Sequence, residues 1–212
     1  MTLDLLESRA LSWVVSMNLS NNNNKVLRLN PGQSTIIQGA SRIEAGYPLW
    51  GTWALPIIAF ADSNHDGVIE GNEIRYGDSS VFVGQANPKY QMNLNTGVTL
   101  LNGRLSINAT FAYQNGFTQF NDGALVSGAI QTLANAPGTS LATQAAMAAA
   151  GSCGVVGCPG KTNIGLIQTV STFRFNDLSI NYNLPKSLSM RFGVPRMSVA
   201  LQGENLALHS NY

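Results

Sequence analysis

Alternation of apolar and polar residues with a period of two runs through several segments of the chain, and it predicts antiparallel strands. In Leu11 to Ser20, Trp13, Val15, Met17 and Leu19 share one face. Ser12, Ser16, Asn18 and Ser20 share the other, with Val14 as the exception. Asn21 to Asn24 end this strand, because Asn favours turns and tolerates left-handed backbone. The clearest pair follows later. Tyr90, Met92, Leu94, Thr96, Val98 and Leu100 alternate with Gln91, Asn93, Asn95, Gly97 and Thr99. Leu105, Ile107, Ala109, Phe111 and Tyr113 alternate with Ser106, Asn108, Thr110 and Gln114. Between them Leu101-Asn102-Gly103-Arg104 supplies an Asn-Gly turn, the strongest short hairpin signal. Strands of about ten residues are long enough to cross a bilayer when tilted.

From about Asn115 to Val170 the alternation is lost, and Ser140 to Ala150 is Ala-rich enough to predict a short helix. A second strand pair closes the chain. Leu178, Ile180, Tyr182 and Leu184 lie on one face against Ser179, Asn181 and Asn183. Phe173 and Phe175 are out of phase with that set, which predicts a bulge near Asn176-Asp177. Pro185 stops the strand, and Met197, Val199 and Leu201 resume the alternation against Ser198, Ala200 and Gln202. The pattern fits both a membrane barrel and a soluble antiparallel sandwich, since each has one apolar face. Loop lengths favour the barrel. One end of the strands has the Asn102-Gly103 turn and a modest turn from Pro185 to Arg196; the other has long loops, Asn21 to about Ala59 and Asn115 to Val170. Short turns on one rim and long loops on the other is the asymmetry of outer-membrane barrels, whose long loops are extracellular.

Composition narrows the classes further. Only 11% of residues are charged, against about 25% in an average soluble domain. Net charge is +1, so no overall basic field points to nucleic acid. Apolar content is 44%, which excludes a disordered chain, and the missing charge is replaced by Asn, Ser and Thr beside 21 Gly. No run of 18 apolar residues predicts a membrane-spanning helix. Thr-Leu-Asp-Leu-Leu-Glu after Met1 has neither a basic region nor a cleavage site, so no signal peptide is expected. Cys153 and Cys158 lie close together in a Gly-rich stretch, and the two His, His65 and His209, are too distant in sequence to complete a zinc site. A local disulfide between Cys153 and Cys158 is the preferred expectation; two free thiols is the alternative.

One segment carries metal chemistry. Asp62-Ser63-Asn64-His65-Asp66-Gly67-Val68-Ile69-Glu70-Gly71-Asn72-Glu73 fits the twelve-residue calcium-loop pattern at every position. Asp62, Asn64 and Asp66 would aim oxygens at one point, and Gly67 permits the sharp turn. The Val68 carbonyl, Glu70 directly or through water, and a bidentate Glu73 would complete the set, with Ile69 anchoring the loop. The flanks Ile57 to Ala61 and Ile74 to Val83 do not read as amphipathic helices, so a paired sensor is not expected; the alternative is an acidic surface turn. Gly160-Lys161-Thr162 suggests a phosphate loop, but the first Gly is one position off and no strand and helix flank it. Neither His has a Ser-His-Asp setting and no G-x-S-x-G occurs, so an enzyme is not expected. Trp13, Tyr90, Phe111, Tyr113, Tyr182 and Tyr212 fit core packing and membrane-interface girdles equally well.

Several segments in fixed order carry a resemblance: Ser12-Trp13 through Asn24-Lys25-Val26, Glu44 to Leu49, the Asp62 to Asn72 loop, Gly84 to Tyr90, Phe173 to Pro185, and Gly203 to Leu206. Together they resemble the C-terminal barrel region of SusC/RagA-like TonB-dependent outer-membrane receptors. The resemblance spans nearly all of residues 1–212. It implies a 22-stranded barrel around an N-terminal plug, energy from TonB and the ExbB-ExbD motor, and a SusD-like surface lipoprotein that delivers oligosaccharides or peptides. The chain departs from the pattern in having no plug or TonB box and in stopping at Tyr212. The expectation is therefore an all-β, antiparallel partial barrel of six to eight strands, embedded in a lipid bilayer. It would form part of an importer, with calcium as a structural ion. The rival expectation is a secreted calcium-binding β-sandwich for adhesion or glycan binding.

Overall fold

A computed structural model describes residues 1–121, 137–151 and 162–212. Cys153 and Cys158, and with them the expected disulfide, lie outside the described residues. The described chain divides into two compact units, one built from Met1–Asn22, Pro88–Asn115 and Ser171–Asn211, the other from Asn23–Asn87, Gly116–Val170 and Tyr212.

The first unit is organised by a single six-stranded sheet, ordered β1 (Thr2–Glu7), β2 (Leu11–Asn21), β9 (Tyr90–Leu100), β10 (Leu105–Phe120), β11 (Ile167–Asn183) and β12 (Ser198–Ser210). The all-β, antiparallel expectation holds: β1 with β2, β2 with β9, β9 with β10 and β11 with β12 all pair antiparallel. The hairpin forms as its sequence predicts. Arg104 N donates to Leu101 O at 3.3 Å, and Asn102 and Gly103 take φ of 54° and 83°, the left-handed pair that a twist-matched tight turn requires. The bulge also forms. Phe175 pairs with Ala207 and Asp177 with Glu204, so Asn176 alone opposes Asn205 and Leu206, and Asn205 takes a φ of 52°. The extra residue of this pair lies on β12; on β11, Phe173 and Phe175 stack on Phe111 while Ser179 meets Asn108, so its side chains change face between Phe175 and Ser179.

Three readings of the sequence need correction. β1 was not expected; its Leu3, Leu5 and Leu6 break strict alternation because a register shift falls between Asp4 and Leu6. β10 runs on to Phe120 and β11 begins at Ile167, so the irregular region is shorter than Asn115 to Val170. Polar Asn115, Gln119, Gln168 and Thr169 hid these extensions, because they interrupt the apolar–polar alternation. Finally, the segment from Asn21 to Ala59 is not plain loop. A four-stranded sheet, β3 (Thr35–Gln38), β4 (Ser41–Glu44), β5 (Gly51–Ala54) and β8 (Val81–Gln85), draws three of its strands from it. A two-stranded sheet pairs β6 (Ile57–Phe60) with β7 (Ile74–Tyr76). Runs of three to five residues are too short for periodicity to register.

The second unit has a true core. The expected helix forms as α1 (Leu141–Gly151), favoured by its alanines and started by Ser140, whose Oγ accepts from Thr143 N at 3.2 Å. Ala145 and Ala149 pack with Ile69 and Ile74; Ala150 packs with Leu166. Elsewhere in the unit Trp53 meets Tyr47 and Phe82 with ring centroids 4.6 and 5.9 Å away, and the Arg42 guanidinium lies 5.5 Å from its ring centroid. The turn Ile164–Leu166 lies so close to α1 that a Cβ on Gly165 would stand 2.5 Å from the Ala146 carbonyl oxygen. Gly165→Ala therefore forces backbone apart, and thermal melting should show a loss of about 1–3 kcal/mol, the usual range for overpacking. An unchanged midpoint would mean that the turn does not seat on the helix.

Candidate functional site

Two surfaces gather the residues that the sequence marks out. The first is the polar face of the six-stranded sheet. Register aligns Thr2 with Ser16, Ser16 with Asn95, and Asn95 with Thr110 in one row across four strands. Hydrogen bonds link this row, from Thr2 Oγ1 to Ser16 Oγ at 3.2 Å and from Thr110 Oγ1 to Asn95 Oδ1 at 3.0 Å. Nearby, Asn108 Nδ2 donates to Ser179 Oγ at 3.4 Å. Gly97 sits opposite Asn108, where a Cβ would press on the amide oxygen at 2.9 Å. The surface is thus mostly uncharged amide and hydroxyl, with one directly opposed carboxylate pair, Asp177 and Glu204. Such a face hydrogen-bonds water and polar solutes without strong charge selection.

The opposite face of the same sheet is apolar. Phe111 stacks on Phe175 and Phe173 with centroids 4.7 and 5.9 Å away. Trp13 satisfies its indole N–H by donating to Thr96 Oγ1 at 2.9 Å, leaving its ring available to an apolar medium. Leu19 and Leu201 are each 65% exposed. Among the described residues, every fully buried hydrophobic side chain belongs to the second unit and none to the sheet unit.

The second surface is the loop Asp62 to Glu73, which connects β6 to β7. Strands and not helices flank it, as the sequence implied. His65 and Gly67 take φ of 61° and 83°, and His65 points to solvent. The acidic side chains fold the loop by accepting its amides. Asp62 accepts from Asp66 N at 3.2 Å and Gly67 N at 2.9 Å. Asp66 accepts from Val68 N at 2.8 Å and from Asn64 Nδ2 at 3.0 Å. Glu73 reaches back to Ser63 N at 2.7 Å, Asn64 N at 3.4 Å and Glu70 N at 3.0 Å. Among the described residues no group of three or more His, Cys, Asp or Glu side chains is arranged to hold a metal ion. A carboxylate has about four lone-pair sites, so Asp62 and Asp66 each retain spare acceptor capacity after these bonds.

Helix α1 seats this loop through one residue that sequence reading missed. Gln144 Oε1 accepts from Ile69 N at 3.0 Å, and its Nε2 donates to Gly67 O and Thr139 O, both at 3.3 Å. The available signal was a lone long polar side chain inside an alanine run. Ile69, only 2% exposed, fills the contact that the sequence assigned to it. Tyr76 packs against the same cluster, and burial raises its phenol above the ordinary 10.0.

No protein-family model matches the chain, and no curated protein matches it. Solved structures do match. The chain aligns over 100% of its length with the RagAB peptide importer in its closed-closed state, at 17% identity and a TM-score of 0.68. The open-open state of the same importer gives 17% identity and a TM-score of 0.69, and a further RagAB peptide transporter structure gives 17% and 0.67. The chain spans about a quarter of those chains, 25%, 24% and 25% in turn. The likeness is one of fold.

Ile69 is the loop's one fully buried anchor on α1. Ile69→Ala should cost about 2–5 kcal/mol, the range for buried Ile or Leu truncation. Limited proteolysis should then cut between Asp62 and Glu73 faster than in the unaltered protein. Equal cutting rates would show that the contact with α1 does not hold the loop.

Proposed function

We propose that the six-stranded sheet is a wall segment of an outer-membrane, TonB-dependent transport barrel that imports oligosaccharides, peptides or similar nutrients. The protein acts as a transporter part and not as an enzyme. A SusD-like surface lipoprotein and the TonB-ExbB-ExbD system are its proposed partners, and the bilayer is its proposed solvent on the apolar face. The observation that carries the reading is that the first unit, among its described residues, has no buried hydrophobic side chain beside its apolar sheet face. In water that face would be an aggregation surface; against acyl chains it needs no protein cover. The polar face then lines the solute path. β9 to β12 have 11, 16, 17 and 13 residues, enough to cross a bilayer at a tilt of about 45°. The fold likeness to a peptide importer supports the same reading. The rival β-sandwich requires a second sheet over the apolar face, and the first unit contains one sheet among its described residues.

Leu94 and Asn93 test this reading side by side, since they are neighbours near the middle of β9 on opposite faces. Leu94→Arg should lower stability in bilayers by about 2–4 kcal/mol, the cost of Arg on a lipid face near the midplane. Asn93→Arg should cost much less. Equal losses in urea titrations of the two variants would refute a lipid-facing Leu94.

Calcium is the second part of the proposal. Asp62, Asn64, Asp66, the Val68 carbonyl, Glu70 and Glu73 would supply the oxygens that this ion prefers, and four carboxylates within twelve residues repel one another without a cation. The left-handed Gly67 and the spare acceptor sites on Asp62 and Asp66 support it. The ion's role would be to stiffen the loop, with a dissociation constant on the order of 10⁻⁴–10⁻³ M, as in extracellular modules. Calcium titration of the whole protein should release or absorb heat and slow proteolysis of the loop, and Asp66→Ala should abolish both effects. Identical behaviour of the two proteins would reduce the loop to an acidic turn.

A further inference from the structure

We infer that the short-turn rim of the six-stranded sheet binds the phosphate headgroups of anionic phospholipids. This rests on the lipid-facing reading of the sheet and adds a lipid class and a location. Three connections lie along one rim. Leu11 pairs with Leu100, which puts the Ser8–Ala10 turn beside the Leu101–Arg104 turn. Asn183 N donates to Arg104 O at 2.7 Å, and Leu184 N to Met197 O at 2.9 Å, which joins the Pro185–Met197 connection to the same edge. The segments 7–11, 100–105 and 183–198 contain Arg9, Arg104, Lys186, Arg191 and Arg196, and Glu7 as their one acid. Five of the chain's 12 cations but one of its 11 anions therefore sit here, giving the rim +4 and the remainder −3. All five cationic residues are exposed.

Charge alone would suit any polyanion; the apolar residues interleaved with it point to a lipid. The Pro185–Met197 connection is a firm scaffold, built on α2 (Lys186–Ser189) and a following helical turn at Met190–Phe192. Ser189 is fully buried, with its Oγ donating to Lys186 O at 3.2 Å, and Gly193 turns the chain at a φ of 75°. That scaffold holds Met190 57% and Phe192 67% exposed, between Lys186, Arg191 and Arg196. Alternating large apolar and cationic side chains, held outward, is the composition of a surface lying at the headgroup–acyl boundary. Between Lys186 and Arg196 opens a cleft of about 780 Å³, lined also by Asn183, Leu184, Pro195, Met197 and Ser198. From there the apolar sheet face continues through Val199 and Leu201, so a lipid held by its phosphate at the cleft would lay its chains along that face. Arg guanidinium groups suit a phosphodiester because they donate two parallel hydrogen bonds to it.

The test is native mass spectrometry of the full chain released from neutral detergent micelles, with equal amounts of phosphatidylglycerol and phosphatidylcholine present. The unaltered protein should retain phosphatidylglycerol in about three- to ten-fold excess, given the attraction of a few interfacial cations. The triple variant Lys186→Gln, Arg191→Gln, Arg196→Gln should fall below about two-fold. A charge-matched control, Lys25→Gln, Arg28→Gln, Lys89→Gln, should keep the full preference. Inorganic phosphate at millimolar concentration should not displace the lipid, because it lacks acyl chains; displacement would mark a free-phosphate site and overturn the lipid assignment. Equal uptake of both lipids, or equal losses in the variant and its control, would overturn the rim inference alone. A chain that stays monodisperse in plain buffer would overturn the lipid-facing reading, and the inference with it.

Discussion

Backbone hydrogen bonding holds β2, β9 and β10 in a register that runs unbroken from Leu11, Leu100 and Leu105 to Asn21, Tyr90 and Asn115. Because side chains alternate at every residue, this register decides which medium each one meets, and a slip by one would exchange the two faces. Trp13, Val15, Met17 and Leu19 join Leu94, Val98, Ile107 and Phe111 on one side, while Asn and Ser rows take the other. The bulge at Asn176 has the same purpose. Between Phe175 and Ser179 the side chains of β11 change face, so the phenylalanines stack on Phe111 while Ser179 meets Asn108 on the other side.

The two units solve the burial problem differently. In the second unit Ile69, Ile74, Ala145 and Ala149 exclude water from one another, as in any soluble domain. The sheet unit has no such cluster among the described residues. Each large apolar side chain left in water there would forgo about 1.5–3 kcal/mol of burial. In the proposed bilayer setting acyl chains would meet that side, and the polar groups of the other face, which bond along rows, would line the solvated path.

Much of this was legible in the sequence, and the failures are physical. Long alternating tracts disclosed β2, β9, β10 and β12, and Asn102-Gly103 fixed a hairpin because few residues tolerate its backbone. The phase break at Phe175 disclosed a bulge. The calcium-like pattern disclosed the loop's shape and the burial of Ile69, though not the residue that receives it. Gln144 lies 75 positions beyond Ile69, and nothing local marks such a partner. Small strands such as Thr35–Gln38 and Ile74–Tyr76 escaped because their pairing comes from neighbours in space and not from their own pattern. The cationic rim also escaped, since its charges are spread over three connections that only the sheet brings side by side.

A barrel-wall role for the sheet requires β9 and β10 to have one lipid-facing and one water-facing side. A single-residue spin-label scan of positions 92–99 and 106–113, in bilayers, reads this directly as access to oxygen against access to a water-soluble nickel chelate. A barrel wall should give a period of two, with oxygen maxima at Leu94, Val98, Ile107 and Phe111 and nickel maxima at Asn93, Asn95, Asn108 and Thr110. Nickel access without alternation, or maxima with the opposite parity, would contradict it.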